Sequence, residues 1–518
     1  LVLLPIDMTM AQPFAEAATS TTSYTNGSIE PTQACADLAQ LSLSEVLRIT
    51  AEAVPAADGA PAYCRVDGTI DPEITFQVNL PMSWNGRFYM TGNGGHAGQQ
   101  PSDPSTAPAR NQALAAHFVI ASTDTGHDAA KEPGASFVMS NPQKAIDYAY
   151  RAVHLTAVTA KEITNAFYGQ PVAHAYWNSC SNGGRQGLVE AQRYPDDFDG
   201  IIATAPWVSQ TGFTIGALWN QRALANVPLT SAKLELLAHS VMDKCDAIDG
   251  LEDGLIDDPR QCAFNALTDV PACAAGADNA SCLLESEAVA IQKVYDGPRD
   301  STGKQLFPGF MPGSEALVTG ANGAASSWMG LIVPATPGAR AADFNLADNT
   351  MRYLAFQTPQ PDWDYNSFDF DNDPALLDRW SRLVDANDIN LRKFRARGGK
   401  LLITYGWADQ VLQPLMGVNY FEQAVTANGP DGEDFMRLFM IPGMTHCAGG
   451  VGPDQHDPIT AIIDWVEADK APAMLIAKKI VNGETLRSRP LCPYPQVARY
   501  SGQGNIDDAV NFQCRAPE

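Results

Sequence analysis

Basic residues are scarce in this chain of 518 residues, where 34 lysines and arginines stand against 59 aspartates and glutamates and give a formal net charge of −25 at pH 7. This excess of negative charge would repel a phosphate backbone and anionic lipid headgroups alike, so we expect neither nucleic acid nor a membrane surface as a partner. Long apolar runs are also missing, since no stretch approaches the roughly eighteen apolar residues of a membrane-spanning helix.

The ten cysteines contain no C-x-x-C pair, which argues against zinc binding and thiol redox chemistry. An even number of cysteines spread along a large chain is typical of disulfides formed in an oxidising compartment. Spacing suggests four bridges between near neighbours and leaves two distant cysteines for a fifth: Cys35–Cys64, Cys245–Cys262, Cys273–Cys282, Cys492–Cys514 and Cys180–Cys447.

The first apolar stretch of the chain ends near Ala15 to Ala18, small residues of the kind that precede a signal-peptidase site. We interpret residues 1–18 as the tail of an export signal, with an ordinary mature N-terminus as the alternative. A secreted or periplasmic location agrees with the use of cysteine.

Short runs of β-forming residues alternate with helical patterns in two parts of the chain. This alternation predicts an α/β fold built on a parallel sheet. The predicted strands are 87–91, 118–122, 174–177, 201–205, 400–405 and 435–441, and the predicted helices are 145–166, 184–193 and 459–467.

From 206 to 386 the alternation stops, and the chain becomes rich in Pro, Gly, Asp and Trp. Because the strand pattern is interrupted and then completed, we interpret 206–386 as an inserted lid domain. Residues 19–205 and 387–518 are then the two parts of one sheet domain.

Ser181 is the candidate nucleophile. An apolar strand precedes it, two glycines and a helix-forming run follow it, and such a tight strand-to-helix turn exposes the serine of doubly wound hydrolases. The G-x-S-x-G pattern fails at one place, because Ser179 stands where the first glycine is usual. A serine N-cap without catalytic function is the alternative.

A serine nucleophile needs a base and an acid. His446 follows a predicted strand in a Gly/Pro loop next to Cys447, and His456 in the same loop is its rival. Asp409 follows the strand at 400–405, which suits the chain order serine, acid, histidine. Three other acids stay open: Asp431, Asp434 and Asp454.

A tetrahedral intermediate needs two backbone N–H donors. We predict Asn182 for one, and for the other Gly95 in the glycine-rich loop 92–98, with Gly94 as the alternative. The same loop matches a dinucleotide fingerprint, but the stretch 99–108 is rich in proline and cannot open the helix that a phosphate site needs. We therefore expect no organic cofactor.

An acidic loop lies in the lid segment, with carboxylates at Asp246, Asp249, Asp253, Asp257 and Asp258. Oxygen ligands at this density suit Ca²⁺, although the spacing is not that of an EF-hand. A solvated loop is the alternative.

Five motifs together resemble the tannase and feruloyl esterase family, which also contains mono(2-hydroxyethyl) terephthalate hydrolase. The resemblance runs from about residue 30 to the C-terminus, on the segments 92–95, 124–127, 180–202, 311–315 and 446–447. It implies an α/β-hydrolase fold with a large lid, a triad of Ser181, Asp409 and His446, and a disulfide between Cys180 and Cys447. It also implies a structural calcium in the lid, whose ligands would be Asp246, Asp249, Asp253 and the carbonyls of Leu251 and Leu255.

The expected activity is hydrolysis of small esters of aromatic acids, of the feruloyl or galloyl type. A terephthalate monoester hydrolase is one alternative, and a non-catalytic aromatic-acid binding protein or a calcium-dependent adhesion module are others. Candidates for the acyl pocket are Trp207, Phe213, Trp328, Phe356 and Trp363. A carboxylate on the acyl group would call for a lid arginine: Arg340, Arg352, Arg379, Arg382 or Arg392. The sequence does not indicate an oligomeric state.

Overall fold

The computed structural model describes residues 13–315, 318–319, 325–326, 328–336 and 338–517. Its strands are β1 Val46–Val54, β2 Tyr63–Ile70, β3 Ile74–Pro81, β4 Arg87–Met90, β5 Val119–Thr123, β6 His174–Cys180, β7 Gly200–Thr204, β8 Val318–Thr319, β9 Ala325–Ser326, β10 Lys400–Gly406, β11 Met436–Ile441, β12 Leu475–Val481, β13 Glu484–Leu491, β14 Val497–Tyr500 and β15 Phe512–Arg515. Its α-helices are α1 Ala107–Ala115, α2 Gln143–Ile146, α3 Ala152–Tyr168, α4 Asn182–Arg193, α5 Gln210–Leu224, α6 Ser231–Cys245, α7 Ala266–Asp269, α8 Glu285–Asp296, α9 Ala342–Asn349, α10 Asp378–Val384, α11 Arg392–Ala396, α12 Pro414–Asn428 and α13 Pro458–Ala468.

A nine-stranded mixed sheet in the order β1-β2-β3-β5-β4-β6-β7-β10-β11 forms the centre of the fold. From β5 to β11 neighbouring strands run parallel, while β1, β2 and β3 pair with each other and with β5 in antiparallel fashion. The six predicted strands therefore form a parallel sheet as predicted, and the three antiparallel strands β1, β2 and β3 were not predicted. The connection between β2 and β3 is too short for a crossover helix, so these strands can only pair antiparallel.

The six predicted strands coincide with β4, β5, β6, β7, β10 and β11, and the predicted helices near 184–193 and 459–467 coincide with α4 and α13. The helix predicted over 145–166 is divided by a π-helical turn at Asp147–Arg151, between α2 and α3. The sheet with helices on its faces is the expected α/β-hydrolase architecture.

A long insertion leaves the sheet after β7. Strands β7 and β10 are hydrogen-bonded neighbours, so the roughly 200 residues between them leave the sheet at one strand and return at the next. The insertion has its own hydrophobic cluster around Leu237, Ile291 and Trp328. Phe213 of α5 and Phe344 of α9 instead pack into the main core, which fastens the insertion to the sheet domain.

The first described residues pack on the sheet domain. The Phe14 ring lies 5.2 Å from the Phe118 ring and 5.9 Å from the Tyr89 ring, and the Glu16 amide donates to Asp457 at 2.8 Å. Residues 1–12 of the expected export segment lie outside the described ranges. None of the helices in the described ranges combines the length and the apolar character that crossing a bilayer requires.

All five disulfides suggested by spacing are present. Four of them close loops between near neighbours. The fifth, Cys180–Cys447, spans 267 residues and joins the end of β6 to the loop after β11, with a Cα–Cα distance of 5.9 Å.

Candidate active site

Ser181 lies on the turn between β6 and α4, with φ of 63° and ψ of −124°. Few non-glycine residues adopt this conformation, and it persists only where the surroundings fix it. Here the Ser181 amide donates to the Thr204 carbonyl, and the Ser181 carbonyl accepts from the amides of Arg185 and Trp207, each at 3.0 Å. These bonds hold the half-buried serine side chain at the carboxyl edge of the sheet.

Ser179 occupies the place where glycine is usual in such turns. It is only 2% exposed. A Cβ atom on Gly183 would lie 2.0 Å from the Ser179 hydroxyl oxygen, so the space for the serine exists because residue 183 lacks a side chain. A serine is therefore accommodated at the place of the missing glycine because Gly183, the second glycine of the pattern, leaves room for it.

His446 and Asp409 meet at the neighbouring strand ends, in the loops after β11 and β10. His446 Nδ1 lies 2.8 Å from Asp409 Oδ2. The other carboxylate oxygen of Asp409 accepts from the amides of Val411 and Leu412, each at 2.8 Å. The fully buried carboxylate is therefore fixed against Nδ1, and Nε2 remains for a substrate or a nucleophile.

The Cys180–Cys447 disulfide brings the serine turn and the histidine loop together. The sulfur atoms of both cysteines and a ring nitrogen of His446 all lie within 4.8 Å of one another. Because Cys180 precedes Ser181 and Cys447 follows His446, this bridge fixes the distance between the two loops.

The rival base and acids have other partners. His456 is buried with Nδ1 3.4 Å from the Asp454 carbonyl, and burial lowers the pKa of His456 to about 4. The Asp454 carboxylate lies 3.2 Å from Lys479, and Asp431 pairs with Arg395 at 3.0 Å. Asp434 ends the 3₁₀ turn before β11.

The glycine-rich loop docks on the start of α4. The Asn182 side-chain amide donates to the Asn93 carbonyl at 3.2 Å, and the Asn93 amide donates to Gln186 at 3.2 Å. This approach requires Gly92, since a Cβ there would lie 2.1 Å from the Gln186 side chain.

Several backbone amides at the start of α4 and in the glycine-rich loop are without an acceptor. Within the described ranges, the amides of Asn182, Gly183, Gly184 and Gly95 donate no hydrogen bond. The Gly94 carbonyl accepts from the Ala97 amide at 2.9 Å, and because a trans peptide is planar, the Gly95 N–H points away from that turn. The Asn182 amide belongs to a fully buried residue, where an unpaired N–H calls for a ligand or a water molecule, while Gly95 is half-buried.

The stretch 99–108 contains the start of a helix, contrary to our expectation. Helix α1 begins at Ala107, inside the stretch 99–108 that we expected to be unable to open a helix. Pro108 occupies one of the first two helical positions, where proline loses no backbone hydrogen bond. The glycine loop nevertheless packs against α4 and not against the start of α1.

The candidate pocket aromatics occupy different environments. Trp207 directly contacts the Ser181 backbone, and its ring packs edge-on against Phe213 at 5.0 Å. Trp328 lies in the hydrophobic cluster of the insertion and donates to Ser314 at 3.1 Å. Phe356 and Trp363 are partly buried against the main core.

Helix α9 and the π-helical turn after it lie over the glycine loop. The side chain of Leu346 would be 3.8 Å from a Cβ on Gly95, and His96 Nε2 lies 3.1 Å from the Thr350 hydroxyl. Sequence reasoning missed Leu346, His96 and Thr350, because His96 and Thr350 are 254 residues apart and no motif links them.

Four of the five candidate arginines donate hydrogen bonds through their guanidinium groups. Arg340 and Arg352 share the carboxylate of Asp348 at 2.6 and 2.8 Å. Arg379 donates to the carbonyls of Leu354 and Phe356, and Arg392 donates to the carbonyl of Ala427. The backbone of Arg382 contacts Arg193, at the end of α4 opposite to Ser181.

The acidic loop folds back on itself within the 17-residue loop of the Cys245–Cys262 bridge. Asp246 accepts from the amides of Asp253 and Gly254, and Asp249 accepts from the Leu251 amide at 2.9 Å. Asp253 also contacts Arg489. The carbonyls of Leu251 and Leu255 receive no hydrogen bond from the described residues.

A second cluster of titratable groups lies behind α4. His154 Nδ1 is 2.6 Å from Asp197, and ligand atoms of His154, Asp197 and Glu190 lie within 4.8 Å of one another. Burial beside Asp197 raises the pKa of Glu190 well above its usual range, so we interpret this cluster as a protonated Glu190 carboxyl next to the hydrogen-bonded His154 and Asp197.

Known proteins resemble this chain over most of its length. The family model described as tannase and feruloyl esterase matches residues 59–515. An uncharacterised esterase of Xanthomonas campestris is 32% identical, covering 93% of this chain and 91% of its own. The mono(2-hydroxyethyl) terephthalate hydrolase of Piscinibacter sakaiensis is also 32% identical, covering 91% and 87%. The crystal structure of feruloyl esterase B from Aspergillus oryzae superposes with a TM-score of 0.79 at 26% identity, covering 92% of this chain and 98% of that one.

The contact between Ser179 and Gly183 gives a test of the turn. We expect Gly183→Ala to destabilise the protein by about 1–3 kcal/mol or more, because the added methyl group overlaps the Ser179 side chain. Ser179→Gly alone should have little effect on activity. The double variant Ser179→Gly/Gly183→Ala should recover most of the lost stability and ester hydrolysis, measured by chemical denaturation and initial rates. A double variant as impaired as Gly183→Ala would contradict this packing.

Proposed function

The chain belongs to the tannase and feruloyl esterase family and is a carboxylic ester hydrolase, and we propose that it is a serine esterase acting on esters of aromatic acids. The observation that carries the mechanism is the pairing of Asp409 with His446 at 2.8 Å, in a loop bridged to the strained turn of Ser181. Five disulfides suit an oxidising compartment, and we propose that the enzyme is secreted or periplasmic.

In the proposed reaction, Ser181 Oγ attacks the ester carbonyl while His446 Nε2 takes the hydroxyl proton. Asp409 keeps the other ring nitrogen protonated and stabilises the imidazolium that forms. The amides of Asn182 and Gly95 donate to the oxyanion of the tetrahedral intermediate. His446 then gives its proton to the departing alcohol, and a water molecule repeats the sequence on the acyl-enzyme to release the acid.

We propose that the acyl group is a neutral aromatic acid of the feruloyl or galloyl type. Trp207 and Leu346 offer apolar surface on either side of the glycine loop. A carboxylated acyl group would need a cation, and Arg340 and Arg352 already pair with Asp348. We propose that no other arginine faces the acyl group, so that a terephthalate monoester would bury its charge without a partner, which is costly.

We further propose that the insertion is a lid over the active site and holds a structural calcium ion. Three carboxylates and two unpaired carbonyls provide hard oxygen donors within ten residues, as Ca²⁺ prefers. Asp246, Asp249 and Asp253 with the carbonyls of Leu251 and Leu255 would hold the ion. Its charge would offset the repulsion between the carboxylates and stiffen the loop, away from the reacting atoms.

The serine mechanism is tested by removing each member of the triad. We expect Ser181→Ala, His446→Ala and Asp409→Asn each to lower kcat for p-nitrophenyl or methyl esters by about 10,000-fold or more, with little change in thermal stability. Asp431→Asn is the matched control, since Asp431 is exposed and pairs with Arg395, and loss of its charge should leave the rate unchanged. Full hydrolysis by Ser181→Ala would refute the serine mechanism.

Acyl preference is tested by substrates that differ in one charge. We expect kcat/KM for methyl ferulate or methyl gallate to exceed that for mono(2-hydroxyethyl) terephthalate by at least about tenfold, because the free carboxylate lacks a cationic partner. The bis(2-hydroxyethyl) diester, which lacks this charge, should be hydrolysed better than the monoester. Preference for the monoester would favour the terephthalate alternative.

Calcium is tested by chelation. We expect EGTA to lower the thermal unfolding midpoint, and added Ca²⁺ but not Mg²⁺ to restore it; an ion at 100 times its Kd would contribute about 2.7 kcal/mol. Asp246→Ala should abolish this response. Asp364→Ala, which removes an exposed aspartate that also accepts from its own turn, should retain it. An unfolding midpoint insensitive to both EGTA and Ca²⁺ would leave the solvated loop as the explanation.

A further inference from the structure

Tyr148 lies in the π-helical turn between α2 and α3, and its hydroxyl group is the meeting point of a buried polar network. The hydroxyl lies 3.0 Å from the Gly95 carbonyl and 3.2 Å from the Asn182 side-chain oxygen. Within the described ranges the amides of Gly95 and Asn182 donate no hydrogen bond, and these are the two amides proposed for the oxyanion. One phenol therefore touches both residues of the proposed oxyanion site.

The Tyr148 hydroxyl accepts one hydrogen bond and has one proton to donate. The Gln210 side-chain amide donates to the Tyr148 oxygen at 2.8 Å, so the single phenolic proton is left for Gly95 or Asn182. Burial raises the pKa of Tyr148, which keeps the phenol protonated. Arg185 Nε donates to the Asn182 side-chain oxygen at 2.7 Å and supports the same contact from the other side.

The network also reaches the insertion. Gln210 begins α5, and its side-chain oxygen Oε1 accepts from the indole N–H of Trp380 in α10 at 2.6 Å. The Trp380 and Tyr148 rings are stacked with an interplanar angle of 12°. All the side chains in this chain of contacts are buried, where hydrogen bonds are strong and unmade ones are costly.

We propose that Tyr148 is a positioning residue that orients the Gly95 and Asn182 amides for the oxyanion and couples their position to Gln210 and Trp380 of the insertion. This inference rests on the proposed serine mechanism. The Tyr148 hydroxyl fixes the Gly95 carbonyl, while the Ala97 amide fixes the Gly94 carbonyl, so the peptide groups on both sides of Gly95 are held. A misaligned donor would stabilise the transition state less and would change the ground state little, because the negative charge develops only in the transition state.

The decisive variant is Tyr148→Phe, which removes one oxygen atom. We expect kcat to fall by about 10-fold to 100-fold, somewhat less than for loss of an oxyanion donor, with KM changed less than about threefold. Affinity for a trifluoromethyl ketone, which forms an oxyanion on the enzyme, should fall by the same factor as kcat/KM. A loss of thermal stability alone would not lower kcat while leaving KM nearly unchanged, and it would not lower the affinity for the ketone by the same factor as kcat/KM.

Tyr168→Phe is the matched control, because Tyr168 is equally buried and donates to the Pro81 carbonyl at 2.6 Å, far along α3 from the turn. It should lose similar stability and keep its kcat. Gln210→Met removes the donor to the Tyr148 oxygen and should lower kcat by a smaller factor, again with little change in KM. This variant provides the test if Tyr148→Phe does not fold.

Three outcomes would overturn the proposal: kcat within twofold of the parent in Tyr148→Phe and Gln210→Met, an equal loss of kcat in Tyr168→Phe, or a loss of kcat without loss of ketone affinity. None of these would affect the serine mechanism, which is judged by Ser181→Ala in the same assay. If Ser181→Ala stays active, the proposed function fails whatever Tyr148→Phe does.

Discussion

The Cys180–Cys447 disulfide is the constraint on which the site depends. Each cysteine is the direct neighbour of a residue of the proposed triad, so the bridge holds the turn of Ser181 against the loop of His446 across 267 residues. In the chain-entropy model, closing so long a loop stabilises the fold by about 5 kcal/mol. Its geometric effect is greater, because catalysis needs these two loops in fixed register while a large insertion leaves and rejoins the sheet between them.

Close backbone approach is the second condition. The glycine loop can dock on α4 only because Gly92 and Gly183 lack side chains, and the Ser179 hydroxyl fills the space over Gly183. The same approach leaves the amides of Gly95 and Asn182 without partners beside the serine. A buried unpaired N–H costs free energy in the resting enzyme, and an oxyanion would compensate it in the transition state.

The sequence predicted the strands around the site well. The runs that became β4, β6, β7 and β10 are short, apolar and bounded by turns or helices, so local pattern was enough to find them. It missed β1 to β3, whose apolar residues are interrupted by polar ones such as Arg48, Glu52, Asp67, Gln77 and Asn79. It also missed the π-helical turn that carries Tyr148, since such turns have no reliable sequence signal.

Several features of the candidate site can be read from the sequence alone: a serine on a glycine-rich turn, a histidine and an aspartate in late loops, and ten cysteines whose spacing suggested their partners. Local composition is sufficient for such features, because turns, strands and nucleophile motifs depend on residues close in the chain. Which side chains surround the glycine loop depends on tertiary packing. Leu346 and Thr350 contact the loop, and Gln210 and Trp380 are linked to it through Tyr148. These contacts join residues far apart in the chain and arise from packing that no local pattern encodes.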